Sequence, residues 1–135
     1  MRKIIIAGSA KFYKEVLELK EELELKEELE KKDYNVIDHA KKIDVNNEEE
    51  YKAAYESFYN SLRNTDDLLL LNLDKNGIEG YIGYESFAEL SYLVVKKVQE
   101  DYNHKIYIYK MPSKEVGCYE EIMHFLKLGY IELYK

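Results

Sequence analysis

Apolar positions along the chain switch repeatedly between a period of two and a period near 3.6, and the switches divide it into alternating strands and helices. Lys3 to Ala7 is a short apolar run that predicts the first strand, closed by Gly8-Ser9. Phe12, Val16, Leu19 and Leu23 then recur at helical spacing. Tyr34 to Ile37 predicts a second strand, followed by a polar connection from Asp38 to Asn47. Glu48 to Asn64 predicts a helix with Tyr51, Ala54, Tyr55, Phe58 and Leu62 on one side. Leu68 to Leu71 is unbroken apolar sequence, the signature of a strand covered on both faces, and Asp74 is expected to end it. Gly77, Gly80 and Gly83 mark a loop in which the backbone bends or approaches a ligand closely. From Tyr84 the helical period returns, with Phe87, Leu90, Val94 and Val98 as the expected core-facing stripe. Lys105 to Tyr109 predicts a fourth strand, Tyr119 to Leu128 a short helix, and Tyr130 to Leu133 a fifth strand.

Strands alternating with helices imply a parallel sheet with helices on both faces, a three-layer α/β/α sandwich. Right-handed crossovers make a flavodoxin-like (Rossmann-like) strand order 2-1-3-4-5 the leading topology. The third strand is then central, beside the first, and the loops after both line one crevice at the carboxyl edge, where open α/β sheets bind ligands. No linker interrupts the chain, so residues 1–135 read as one domain.

The first helix carries a tandem repeat. Leu17-Glu-Leu-Lys-Glu-Glu22 is followed by an identical copy from Leu23 to Glu28, then by Leu29-Glu30. Six residues advance a helix by about 600°, a phase error of roughly 120°. Leu19 and Leu23 continue the stripe of Phe12 and Val16, whereas Leu25 and Leu29 fall on nearly the opposite face. A helix from Ala10 to Lys31 would run about 33 Å, against about 17–20 Å for a typical strand. The expectation is a straight helix, because strong helix formers fill the whole repeat.

Composition narrows the function classes. The chain has 135 residues, 46% hydrophobic and 35% charged, as in globular proteins. A net charge of −7 argues against a nucleic-acid surface. No stretch is apolar for long enough to span a membrane, and the N-terminal run is too short for a signal peptide. The single cysteine, Cys118, excludes an internal disulfide and suits a reducing compartment, so a cytoplasmic location is expected. The fourteen tyrosines read as compositional bias plus amphipathic packing.

Asp74, at the end of the central strand, and Glu89, one helical turn beyond Glu85, are the sharpest candidates for chemistry. Carboxylates in a partly dry crevice take separated pKa values, one acting as nucleophile and the other as acid, as in glycosidic bond cleavage. Acidic residues in the first turns of a helix also simply favour its dipole. Gly8-Ser9 before a helix fits either an anion site or an ordinary serine-capped turn. Tyr81 and Tyr84 flank the glycine loop, where they either stack on a base or pin the loop. His39, His104 and His124 show no metal-ligand spacing; His39, in the loop after the second strand, reads as a solvated loop histidine, with a place facing the crevice as the alternative. Cys118 reads as a structural thiol.

Asn72-Leu-Asp-Lys-Asn-Gly-Ile-Glu-Gly-Tyr-Ile-Gly83, Phe87-Ala-Glu-Leu90, Ile4-Ile-Ile-Ala-Gly-Ser9 and Phe12-Tyr13 together resemble the nucleoside 2-deoxyribosyltransferase superfamily, which includes transferases and nucleotide N-glycosidases. The resemblance spans nearly the whole chain. It implies that Glu89 is the nucleophile that attacks C1′ of the sugar and that Asp74 contacts the base. It also implies that Gly8, Ser9, Phe12, Gly83, Tyr84 and Glu85 form the substrate-binding crevice. The implied ligand is a small nucleoside or nucleotide, with no metal or cofactor required and a homodimer expected. A non-catalytic module that senses or sequesters a nucleotide in the same crevice is the alternative.

Overall fold

The structure is a computed structural model that describes residues 2–25 and 34–134. Five parallel strands form one sheet in the order β2-β1-β3-β4-β5. They are β1 (Arg2–Ala7), β2 (Tyr34–His39), β3 (Asp67–Leu70), β4 (Ile106–Ile108) and β5 (Glu132–Leu133). The helices are α1 (Tyr13–Leu25), entered through a short 3-10 turn at Ala10–Phe12, then α2 (Glu48–Asn64), α3 (Tyr84–Gln99) and α4 (Tyr119–Lys127). This is the flavodoxin-like three-layer sandwich expected from the alternation of elements.

Two cores sit on opposite faces of the sheet. Ile4, Ile6, Leu69 and Leu71 face α1 and pack on Phe12, Val16, Leu19 and Leu23. Ile5, Leu68, Leu70, Ile106 and Ile108 face the other way, onto Leu62 of α2, Leu90, Leu93 and Val94 of α3, and Ile122 of α4. Strict alternation along β1 and β3 therefore feeds both cores, which is why these runs are apolar at every position. The first repeat register docks as expected, since Leu23 is 2% exposed and Leu17 39%. The Leu25 side chain, Leu29 and the end of the repeat lie outside the described residues.

Helix starts follow local chemistry. Ser9 Oγ accepts from the Lys11 amide at 3.2 Å, and Asn47 Oδ1 caps α2 through the Glu50 amide at 3.1 Å. One expected core position fails: Val98 is 59% exposed. The inward face of α3 runs through Ser86, Leu90, Leu93 and Val94. Val98 lies at its edge, in the last turn, beyond the buried residues of the helix.

β1 and β2 pair with a register shift: Ile4 is opposite Val36, but Ile5 is opposite Asp38. The extra residue, Ile37, is a bulge, and it turns Asp38 onto the α2 side of the sheet. At the opposite, amino-terminal edge, the fully buried Asp67 takes a bidentate pair from Arg2 at 2.8 and 2.5 Å and the Lys105 amide at 2.9 Å.

Candidate active site

A cleft of about 670 Å³ opens at the carboxyl edge of the sheet, bounded by the ends of β1 and β2, by α2, and by the loop and helix after β3. Its floor begins at Gly8, whose φ is +150°; a side chain there would meet the Leu71 carbonyl at 2.9 Å. Glycine thus lets β1 and β3 close together under the cleft. Ser9 follows, and Lys75 Nζ donates to its hydroxyl at 3.3 Å while lying 5.0 Å from the Tyr81 ring centroid.

The α2 wall is aromatic. Tyr51, Tyr55 and Phe58 line it. Tyr51 stacks on Tyr55 and Tyr55 on Tyr59, with centroids 6.3 and 4.7 Å apart. Tyr59 then meets Tyr92 of α3 edge-on at 6.1 Å. The tyrosine excess is thus partly a ladder at i, i+4 spacing that leads into the cleft.

Three carboxyl groups enter this space, and each is held differently. Asp38, turned in by the bulge, accepts from Lys41 Nζ at 2.5 Å, Ser61 Oγ at 2.6 Å and its neighbour's amide at 2.8 Å. Burial opposes its charge, but these donors hold its pKa below the usual range. Glu85 accepts the Tyr51 hydroxyl across the mouth between α2 and α3. Glu89, one turn on, has no hydrogen-bond or ion-pair partner among the described residues. Burial, followed by the charges of Glu85 and Asp38, pushes its pKa up to about 8. A carboxyl shifted by burial and by specific neighbouring charges in a cleft is a candidate functional group.

Gly8, Ser9, Gly83, Tyr84, Glu85 and Glu89 all line the cleft. Phe12 does not: the 3-10 turn rotates it into the α1-face core, where it is buried. Asp74 does not either. β3 pairing ends at Leu70, and the residue that turns inward is Asn72, fully buried. Asn72 accepts from the Tyr109 and Lys110 amides and donates to the Gly80 and Lys110 carbonyls. Two residues later the chain is outside, and the exposed Asp74 accepts from Lys110 Nζ at 2.8 Å and from the Gly80 amide at 3.0 Å. Lys110, and then the Gly80 amide, hold its pKa below the ordinary carboxylate value. Asp74 therefore organises the glycine loop and does not face Glu89 across one pocket.

His39 ends β2 and lines the cleft rather than standing in a solvated loop. Its Nδ1 lies 3.0 Å from the Ala40 carbonyl, which can only accept. That contact selects, for the neutral form of the ring, the tautomer with its proton on Nδ1 and Nε2 as an acceptor. Cys118 is buried, and burial pushes its thiol up to about 11, as for a structural thiol. Among the described residues, no three His, Cys, Asp or Glu side chains are grouped to hold a metal ion, and no helix is long and apolar enough to cross a membrane.

Comparison with models of known protein families, with curated proteins and with solved structures gives no match.

Proposed function

We propose that the protein is a nucleoside or nucleotide N-glycosidase or 2-deoxyribosyltransferase-like enzyme in which Glu89 attacks C1′. The observation that carries this reading is the state of Glu89: desolvated, unpartnered and poised near neutrality in a cleft of ligand size. Once ionised, such a carboxylate is poorly solvated and has no competing donor. It would form an ester bond to C1′ as the bond to the base nitrogen breaks, the electron pair leaving with the base, which takes a proton from solvent. Water or a second base would then displace Glu89 from C1′, regenerating the carboxylate. The tyrosine wall offers the base a stacking surface. Asp38 and Glu85 place negative charge near the sugar, where positive charge develops in the transition state.

The position of Asp74 favours the second reading, a module that binds a nucleotide without cleaving it. With Asp74 on the outside, the base contact that the resemblance assigns to it has no counterpart in the cleft.

Base release from a panel of deoxynucleosides and their 5′-monophosphates, followed chromatographically, separates the two readings. Catalysis requires release by the parent protein and its loss in Glu89→Gln, with ligand binding retained. Below about pH 8, kcat/KM should climb with pH as Glu89 ionises. Binding without release across the whole panel would establish the sequestering module instead.

A further inference from the structure

The cleft offers a nucleophile but no acid to go with it. A neutral base leaves more readily when an acid protonates it as the glycosidic bond breaks. Among the described residues, no carboxyl group of the cleft is free for that task. Glu89 is engaged at C1′. Asp38 accepts from Lys41, Ser61 and the His39 amide, and these donors keep it ionised. Glu85 accepts from Tyr51, and Asp74 lies outside, on Lys110 and the Gly80 amide. The neutral His39 ring directs its Nδ1 proton to the Ala40 carbonyl.

The same arrangement suits a positive charge. The ionisable groups gathered with Glu89 are Glu85 from its own helix, Asp38, His39 and Lys41 from β2 and the chain after it, and the Tyr51 and Tyr59 hydroxyls of α2. Lys41 Nζ is bound to Asp38 at 2.5 Å, and Lys75 Nζ lies on Ser9 and over the Tyr81 ring. Glu85 and Glu89 therefore have no cationic partner among the described residues. Tyr51, Tyr55 and Phe58 add an aromatic wall, and aromatic rings attract cations as well as stacking on flat bases. Burial, then the charges of Glu85 and Asp38, opposes the ionisation of Glu89. A positive charge beside it would offset that opposition.

We propose that the cleft selects N-glycosides whose base carries a positive charge, of the N-ribosylpyridinium or N7-alkylated purine class. This selection rests on the glycosidase reading of the cleft. The cation packs on the tyrosine wall, favours release of the Glu89 proton to solvent, and is a leaving group that needs no acid. The Glu89 carboxylate forms an ester bond to C1′ as the bond from C1′ to the ring nitrogen breaks. The electron pair passes to that nitrogen, and the base departs neutral without taking up a proton. Water then displaces Glu89 from C1′, giving the free sugar, the regenerated carboxylate and one proton to solvent.

Two ligand pairs isolate charge from shape: nicotinamide riboside with its reduced, uncharged form, and 7-methylguanosine with guanosine. Calorimetry at pH 6, in buffers of different ionisation enthalpy, should show a cationic member binding about tenfold or more tightly than its neutral counterpart. That binding should release up to about one proton per ligand, and the release should vanish in Glu89→Gln. Selection within either pair supports the proposal, and the pair that responds identifies the ring as pyridinium or purine. Neutral members bound as tightly as cationic ones, no binding of either cation, or a proton release that survives Glu89→Gln would overturn it. Base release followed on the same ligands tests the underlying reading separately. Cation-selective, proton-releasing binding without base release would uphold the selection and overturn the glycosidase reading alone. Base release from neutral nucleosides with no preference for charge would do the reverse.

Discussion

Glu85 and Glu89 stand one turn apart on α3 and face the same cleft, yet only Glu85 is given a donor, the hydroxyl of Tyr51. The unpaired member is the more buried of the two, so the cost of charging the pair falls on Glu89.

That imbalance predicts a pH-dependent stability penalty. The Glu89 pKa rises from an ordinary 4.5 to about 8 on folding. Below 4.5 both states are protonated and nothing is lost. Between 4.5 and 8 the unfolded chain releases a proton that the folded protein keeps, so stability falls as pH rises. The slope for this group is at most about 1.4 kcal/mol per pH unit. Above about 8 both states are ionised and the penalty is constant. Glu89→Gln should therefore flatten the stability profile across this window and be more stable than the parent at pH 8. Urea unfolding of both proteins at pH 5 and pH 8 checks this, and parallel profiles would show that Glu89 ionises normally.

Asn72 makes the opposite kind of prediction, a large loss without any change of charge. Its four hydrogen bonds tie the end of β3 to β4 and to the glycine loop. Asn72→Ala leaves buried amides and carbonyls unpaired, and each such group costs about 1–3 kcal/mol. The expected destabilisation is about 2–4 kcal/mol, read from denaturant midpoints, with the cleft loop losing hydrogen-exchange protection first. Asp74→Ala, at an exposed ion pair, should cost under about 1 kcal/mol.

Gly80 tests the same loop from its backbone. Its φ is +60°, and a side chain there would stand 2.6 Å from the Met111 carbonyl. Gly80→Ala forces either that loop or the Met111-Pro112 segment to move and should destabilise by about 2 kcal/mol or more. Gly77, also at positive φ but with open space around it, should lose less on the same substitution.

These residues also mark where the sequence stops being readable. The strand order followed from alternation, because runs such as Ile4 to Ala7 and Leu68 to Leu71 are apolar on both faces whatever their neighbours are. Helix α2 begins and ends where its pattern says, because Asn47 supplies a local cap. The cleft is different, since its membership depends on contacts between distant elements. Asp38 enters only because a bulge at Ile37 changes the face it points to, and no local pattern announces a bulge. Asp74 looks like the end of β3, but Asn72 has already taken the inward position. Glu89 was legible because its helix phase alone turns it away from the Leu90 and Val94 stripe, toward α2.

The tandem repeat allows the sharpest test of helix register. Phe12, Val16, Leu19 and Leu23 share one core, so the first copy docks in straight phase. Leu23→Ala should cost about 2–5 kcal/mol, whereas Leu17→Ala, at a site 39% exposed, should cost under about 1 kcal/mol. Deleting residues 23–28 joins Leu29 directly to Glu22, so a leucine again fills the position of Leu23 and the buried stripe is preserved. The chain loses about 9 Å of potential helix that the strand-length sheet does not need in order to be crossed. Any leucine that the second copy leaves in water forgoes roughly 1.5–3 kcal/mol of burial. The deletion variant should therefore fold and unfold at a midpoint no lower than that of the parent. A clearly lower midpoint would mean that the second copy contributes packing of its own.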